Sequence, residues 1–158
     1  MPVALPPAPV AQCVAQAAAR YQVPELLLYS IMKQEGGAPG VIGHNRNGTV
    51  DMGRMQINSS WLAVIGPWGY SAQRLIYDDC ANIMVAAWIL KGNQLRAGGD
   101  WNAWGPAIQA YNAGWQGKST KPRLAGRRYA HAVLLHWWKA YRFETAPLSS
   151  RNLAVAQN

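Results

Sequence analysis

The sequence predicts a mainly α fold: a helical bundle-like domain interrupted by one small β-hairpin. Three observations carry that expectation. Apolar residues recur every three or four positions in several separate stretches. The period is lost between Val41 and Ile57, where two extended pieces flank an Asn47-Gly48 turn. Glycine pairs and a GPWG segment punctuate the junctions. With 158 residues, the chain has the length of one domain able to bury its own core.

Residues 1–10 are Pro-rich and stand apart from an expected domain over 11–144, with a poorly ordered tail over 145–158. AQCVAQAAARY places Val14, Ala17, Ala18 and Tyr21 at helical spacing. VPELLLYSIMKQE follows, with Pro24 at a first helical position and Leu27, Ile31, Gln34 and Glu35 recurring along it. Gly36-Gly37 ends this helix and leaves Glu35 on its last turn, near the apolar face. Negative charge is unfavourable at a helix C-terminus, so a carboxyl there invites a functional reading.

VIGHNRNGTVDMG then reads as the hairpin, with Asp51 on its second arm, and NSSWLAVI as a short capped helix broken by GPWGY. DDCANIMVAAWILKGNQLRAGG is the most apolar helix and the expected centre of the fold, stopped by Gly98-Gly99. WNAWGPAIQAYNAG, behind an Asp100 cap, is a helix whose regular part is expected from Pro106. KPRLAGRRYAHAVLLHWWKAY closes the series, with Tyr129, Val133 and Trp137 at four-residue steps. No internal repeat is present.

A net charge of +8 and a pI near 9.9 favour an anionic partner, whether nucleic acid, lipid headgroups or an acidic wall polymer. No DNA-reading motif accompanies the charge, and a nucleic-acid partner is not expected. The chain holds eight Trp and one Phe, so its aromatic surface is rich in rings with a polar edge that suit cores and sugar platforms alike. Trp61, Trp68, Trp101, Trp104 and Trp115 are the candidates for the latter. Cys13 and Cys80 lie too far apart for a CxxC or a clustered zinc site, which leaves one disulfide between the first and a middle helix, or two buried thiols.

The opening MPVALPPAPVAQ lacks the charged and apolar regions of a signal peptide, and no run of about 18 apolar residues is present to span a membrane. His44, His131 and His136 form no HExxH or i,i+4 pair, and neither a GxSxG motif nor a phosphate loop occurs, so no metal or cofactor is expected.

The carboxylates are more informative. Breaking a glycosidic bond requires a carboxylic acid still protonated near neutrality, and apolar surroundings raise a Glu pKa in that way. Glu35 fits best, whereas Glu25, Asp78, Asp79, Asp100 and Glu144 read as helix-end or solvent residues. Asp51 is either the partner of a two-carboxylate glycosidase or a turn residue bonded to local amides.

MKQEGG, VDMGRMQIN and AIQAYNAG, in this order and at these intervals, resemble the three motifs of the lysozyme-like lytic transglycosylases. The resemblance runs from about Cys13 to Gly114 and more loosely to Tyr141. It is closest to the specialised members that accompany type III and type IV secretion, conjugation and type IV pilus machines, which also share a Cys near the domain start and a segment like DDCANIMVAAWIL. It implies an α+β lysozyme-like fold with a cleft beside the hairpin, in a periplasmic or exported monomer acting on peptidoglycan glycan strands, with an envelope machine as partner.

Residue by residue, the resemblance makes Glu35 the catalytic acid and base. It would protonate the oxygen between N-acetylmuramic acid and N-acetylglucosamine, then deprotonate the muramyl 6-hydroxyl, with the substrate's N-acetyl group stabilising the intermediate. Met55 and Gln56 are implied to line the cleft, the Tyr111 hydroxyl to lie near the acid, and Asn112 to hold the site together. TVDMGRMQINSSW also resembles the active-site strand of animal-type lysozymes, which implies a second catalytic carboxylate at Asp51. The sequence departs from the family pattern at Gly36, where Ser is common, and at Arg54, where Leu is usual; Arg54 is expected to point outwards, toward glycan or peptide carboxylates. Two rival readings are a hydrolytic muramidase using the same acids and a non-catalytic wall-binding subunit.

Overall fold

A computed structural model of the protein describes residues 9–115 and 120–145. Its elements run α1 (Val10–Tyr21), α2 (Glu25–Glu35), β1 (Ile42–His44), β2 (Val50–Met52), β3 (Ile57–Asn58), α3 (Leu62–Ile65), α4 (Ala72–Tyr77), α5 (Asp79–Arg96), α6 (Trp104–Ala113) and α7 (Thr120–Thr145). Helices dominate, and the expected hairpin gains a third strand to form an antiparallel sheet ordered β1-β2-β3.

The helix boundaries follow local chemistry. Pro9 and Pro24 precede α1 and α2 as caps, since neither needs a backbone N–H there. Asp78 caps α5 by accepting from the Ala81 N–H at 3.0 Å. Asp100 serves the Ala103 N–H in the same way and starts a short 3-10 turn. That turn feeds α6, which begins at Trp104 rather than Pro106, because a proline in the first turn removes no intrahelical hydrogen bond. The sequence reading missed α4: six residues are too few to show a period, although its Ser71 cap, which accepts from the Arg74 N–H, is a local signal.

Helix α5 is the centre, packed between α1 and α6, while α7 lies against α6 and α2. Leu27, Ile31, Ile83, Leu90, Ile108 and Val133 are fully buried where these helices meet. Each contributes about 1.5–3 kcal/mol by leaving water. Cys13 of α1 and Cys80 of α5 form a disulfide across one of these contacts. Closing a loop of 67 residues restricts the unfolded chain and stabilises the fold by roughly 3–4 kcal/mol. No helix among the described residues is long and apolar enough to cross a membrane.

The small sheet flanks the helices and buries Met52 of β2 and Ile57 of β3 in the same core. β1 and β2 pair Ile42 with Met52, Gly43 with Asp51 and His44 with Val50, and β3 sets Asn58 against Asp51. The hairpin loop spans residues 45–49 and closes through the Asn45 N–H donating to the Thr49 carbonyl. The expected flexible tail lies outside the described residues, apart from Thr145 at the end of α7.

Candidate active site

A groove of about 730 Å³ runs between the sheet and the helices, and Glu35, Asp51, Gln56, Tyr111 and Asn112 all line it. Glu35 reaches the groove because α2 ends there. Gly36 takes the left-handed conformation at φ 64° that stops the helix, which costs a residue without a side chain little. Gly37 then lets the chain pass against the turn after β2: a Cβ at this position would stand 2.3 Å from the Gly53 carbonyl oxygen and 2.6 Å from that of Arg54. The two glycines thus bring the acid and the Asp51 to Asn58 segment together.

Glu35 is half-buried, and its Oε1 accepts a hydrogen bond from the Tyr129 hydroxyl at 2.5 Å. Burial foremost raises its pKa, the Tyr129 hydrogen bond pulls the other way and the charge of Asp51 adds to the rise, for a net value of about 7. The group is therefore a carboxylic acid over much of the range below neutrality. Burial, and then the charge of Glu35, hold the Tyr129 phenol well above its ordinary pKa, so it remains a donor. With Oε1 accepting that hydrogen bond, Oε2 is the oxygen left to carry the transferable proton.

Asp51 has a different setting. Its Oδ2 accepts from Asn45 Nδ2 at 3.0 Å and its Oδ1 from Asn58 Nδ2 at 2.8 Å. Both amides also donate to Thr49 Oγ1, which in turn donates to Asn47 Oδ1 at 2.7 Å. These neutral donors fix the carboxylate across the hairpin and orient both of its oxygens.

The remaining positions separate into those at the surface of the groove and those beneath it. Gln56 adopts φ 51°, unusual for a side chain this size, and its Nε2 donates to the Gly53 carbonyl at 2.8 Å. Tyr111 stands half-exposed in the groove while its buried hydroxyl donates to the Met55 carbonyl at 2.7 Å. Burial, then the charges of Glu35 and Asp51, keep it protonated. Asn112 is exposed on the rim.

Met55 departs from its expected place. It is fully buried in the core, is absent from the groove lining, and serves the site through its carbonyl and through an N–H bonded to Asn82 Oδ1 at 2.7 Å. A straight apolar side chain following a turn gains more from the core than from a wet groove. Arg54 also differs from expectation. Its Nε and Nη2 grip Asp79 Oδ1 and Oδ2 at 2.8 and 2.9 Å, so the partly exposed guanidinium ties the turn to the start of α5 instead of facing Glu35.

Sequence reasoning missed Tyr129, read only as part of an apolar stripe, together with Asn45, Asn58 and Asn82. The amides around Asp51 were a visible signal, as was a lone Asn in the most apolar helix. Asn82 Nδ2 bonds the Met52 and Leu75 carbonyls, both at 2.8 Å, and so pins the strand that carries Asp51. Of the tryptophans, Trp61 lines the groove edge-on to Trp88, whereas Trp104 belongs to the core. Among the described residues no three His, Cys, Asp or Glu gather to hold a metal.

A mostly helical domain with a small three-stranded antiparallel sheet beside a groove lined by Glu35 and Asp51 is consistent with a lysozyme-like fold. The family model of the transglycosylase SLT domain matches residues 12–132. The chain is 36% identical over 152 residues to the invasion protein IagB of Salmonella typhimurium strain LT2, covering 94% of this chain and 88% of that one. It is 36% identical over 124 residues to protein IpgF of Shigella flexneri, covering 78% and 77% respectively. The chain belongs to the SLT-domain transglycosylase family, and its class is that of the peptidoglycan lytic transglycosylases.

Proposed function

We propose that this protein cleaves the β-1,4 bond from N-acetylmuramic acid to N-acetylglucosamine without consuming water, leaving 1,6-anhydro-N-acetylmuramic ends. The observation that carries the reading is Glu35: half-buried at a helix end, holding its proton to about pH 7, and aimed by Tyr129 into a groove wide enough for a glycan. Glu35 Oε2 gives its proton to the glycosidic oxygen as the bond to C1 breaks. Asp51, fixed as an acceptor by two amides, offers negative charge to the cation developing at the sugar ring. The resulting Glu35 carboxylate then takes the proton of the muramyl 6-hydroxyl, and O6 closes on C1. The enzyme ends as it began, with Glu35 protonated.

The muramidase alternative requires Asp51 to attack C1 or to activate water. The hydrogen bonds from Asn45 and Asn58 orient Asp51 and are compatible with either role, so the chemistry of the product separates the two routes. Residues 11–144 form the catalytic unit in this reading, with Gln56, Tyr111 and Asn112 shaping the groove and Met55 supporting it from below. The likeness to a protein named for invasion supports a chain acting outside the cytoplasm, opening the wall locally for an envelope-spanning machine.

Mass spectrometry of the soluble products from purified sacculi tests the reaction. Muramyl ends one water lighter than hydrolysis products, absent with Glu35→Gln, are expected. Fully hydrated reducing ends would make the protein a muramidase.

A further inference from the structure

Away from the groove, one surface carries chemistry that glycan cleavage does not use. Helix α7 packs against α6 and α2 and buries Tyr129, Ala130 and Val133, while its opposite side faces solvent. At about 100° per residue, Trp138 stands half a turn round the helix from Tyr129, the residue that meets Glu35. Trp138 is 56% exposed and stacks on Tyr141, itself 51% exposed, with ring centroids 6.0 Å apart. Leu134 and Leu135, one turn back, are exposed as well. Trp137, one turn before Tyr141, extends the patch to the exposed Trp101 ahead of α6, the two rings 5.4 Å apart. The result is a continuous apolar ridge, which a set of scattered single residues would not make.

The charge around the ridge has one sign. Arg123, Arg127, Arg128, Lys139 and Arg142 are all exposed on α7, and none of them pairs with an acid among the described residues. Of the seven acids in the chain, only Glu144 lies on this helix. Residues 1–8 and 146–158 contain no acidic side chain, so the ends of the chain bring none to these cations. A second copy carries the same net charge of +8 and would set cation against cation. The complement is therefore an external partner with negative charge above an apolar layer. A wall polymer or a nucleic acid supplies the charge but no apolar phase for Leu134 and Leu135. A bilayer supplies both: Trp and Tyr settle at headgroup level, and Arg and Lys reach the phosphates. The cations run along about 28 Å of helix, a span that a charged plane serves without a matching pattern of acids.

We propose that the solvent face of α7, centred on Trp138 and Tyr141, docks the protein on an anionic lipid surface. The side of the helix that meets Glu35 is then turned away from the bilayer, and the groove stays open. This docking stands independently of what the groove cleaves.

Co-sedimentation of the full chain with vesicles of phosphatidylcholine, alone or mixed with phosphatidylglycerol, tests the proposal. Binding to the mixed vesicles, weakened by added salt, is expected, with little binding to phosphatidylcholine alone. Trp138→Ala should lower the partition coefficient about tenfold. Arg127→Ala and Arg128→Ala should each lower it about fivefold, and Arg127→Lys should retain it. All three sites are exposed, so thermal melts of the variants should match the wild type and separate lost docking from lost folding. No binding of the wild type to the mixed vesicles, or undiminished binding by Trp138→Ala, overturns the proposal. Evidence of another occupant in place of vesicle binding overturns it too. A dimer in sedimentation equilibrium that Trp138→Ala dissolves gives the face to a second copy. Vesicle binding gained only by the double variant Leu148→Ser, Leu153→Ser gives it to the chain's own tail. Binding to sacculi that Trp138→Ala weakens, with vesicles ignored, gives it to the wall.

Discussion

The two walls of the groove each carry one carboxyl group, yet they treat it in opposite ways. The helical wall half-buries Glu35 at the end of α2 and gives it one donor, Tyr129, so its proton stays on to about pH 7. The sheet wall surrounds Asp51 with Asn45 and Asn58, two neutral amides that satisfy an anion. Desolvation outweighs the single donor at Glu35 and keeps a proton on it, whereas donors on both oxygens hold Asp51 in one orientation. Two similar side chains thereby take distinct roles, proton carrier and charge partner.

The comparison breaks most visibly at Glu35. Glu35→Gln keeps the shape and the Tyr129 contact but has no proton to transfer, and release of soluble products from sacculi should fall by about a thousandfold or more. An unchanged rate would remove Glu35 from the reaction. The same variant separates chemistry from stability. Because the folded chain holds this proton more tightly than the unfolded one, the associated stability is complete below a pH of about 4.5 and lost as pH rises through about 7. Denaturant melts should therefore find Glu35→Gln more stable than the wild type by roughly 2–3 kcal/mol at pH 8 and little different at pH 4.

On the sheet wall, Asp51→Asn removes the charge and leaves an amide facing two others. Turnover should drop by about ten- to a hundredfold with anhydro products retained, as quantified by chromatography of the muropeptides. A shift to hydrated products, or no loss at all, would give Asp51 another role. Tyr129→Phe should have the smallest effect. Its hydrogen bond lowers the Glu35 pKa, so losing it moves the alkaline limb of the pH-rate profile to higher pH, while poorer aim of the acid reduces kcat about three- to tenfold. A lower rate with an unmoved limb would make Tyr129 a packing residue only.

Much of this contrast was legible in the chain. Helix periodicity, the Asn47-Gly48 turn and the glycines after Glu35 encode local geometry, so α1, α2, α5, the hairpin and the position of the acid could be read from them. The order of the three motifs identified the family. What could not be read was long-range: Tyr129 lies 94 residues from Glu35, and nothing in its own four-residue stripe shows which apolar-face residue meets the acid. Met55 and Arg54 were misplaced for the same reason. Their directions depend on Asn82 and Asp79, contributed by a helix beyond the turn itself. Short α4 was missed because six residues give period counting too little to work with.

The central claim is that the helical wall raises the Glu35 pKa to about 7, so that a large fraction still carries its proton near neutrality, while the groove stays open to a glycan. Carbon NMR of the Glu35 carboxyl, assigned by its loss in Glu35→Gln and followed from pH 3 to 9 in the folded wild type, tests it most directly. A titration midpoint near 7 is the predicted result; a midpoint near the ordinary carboxyl value of 4.5 would contradict the account.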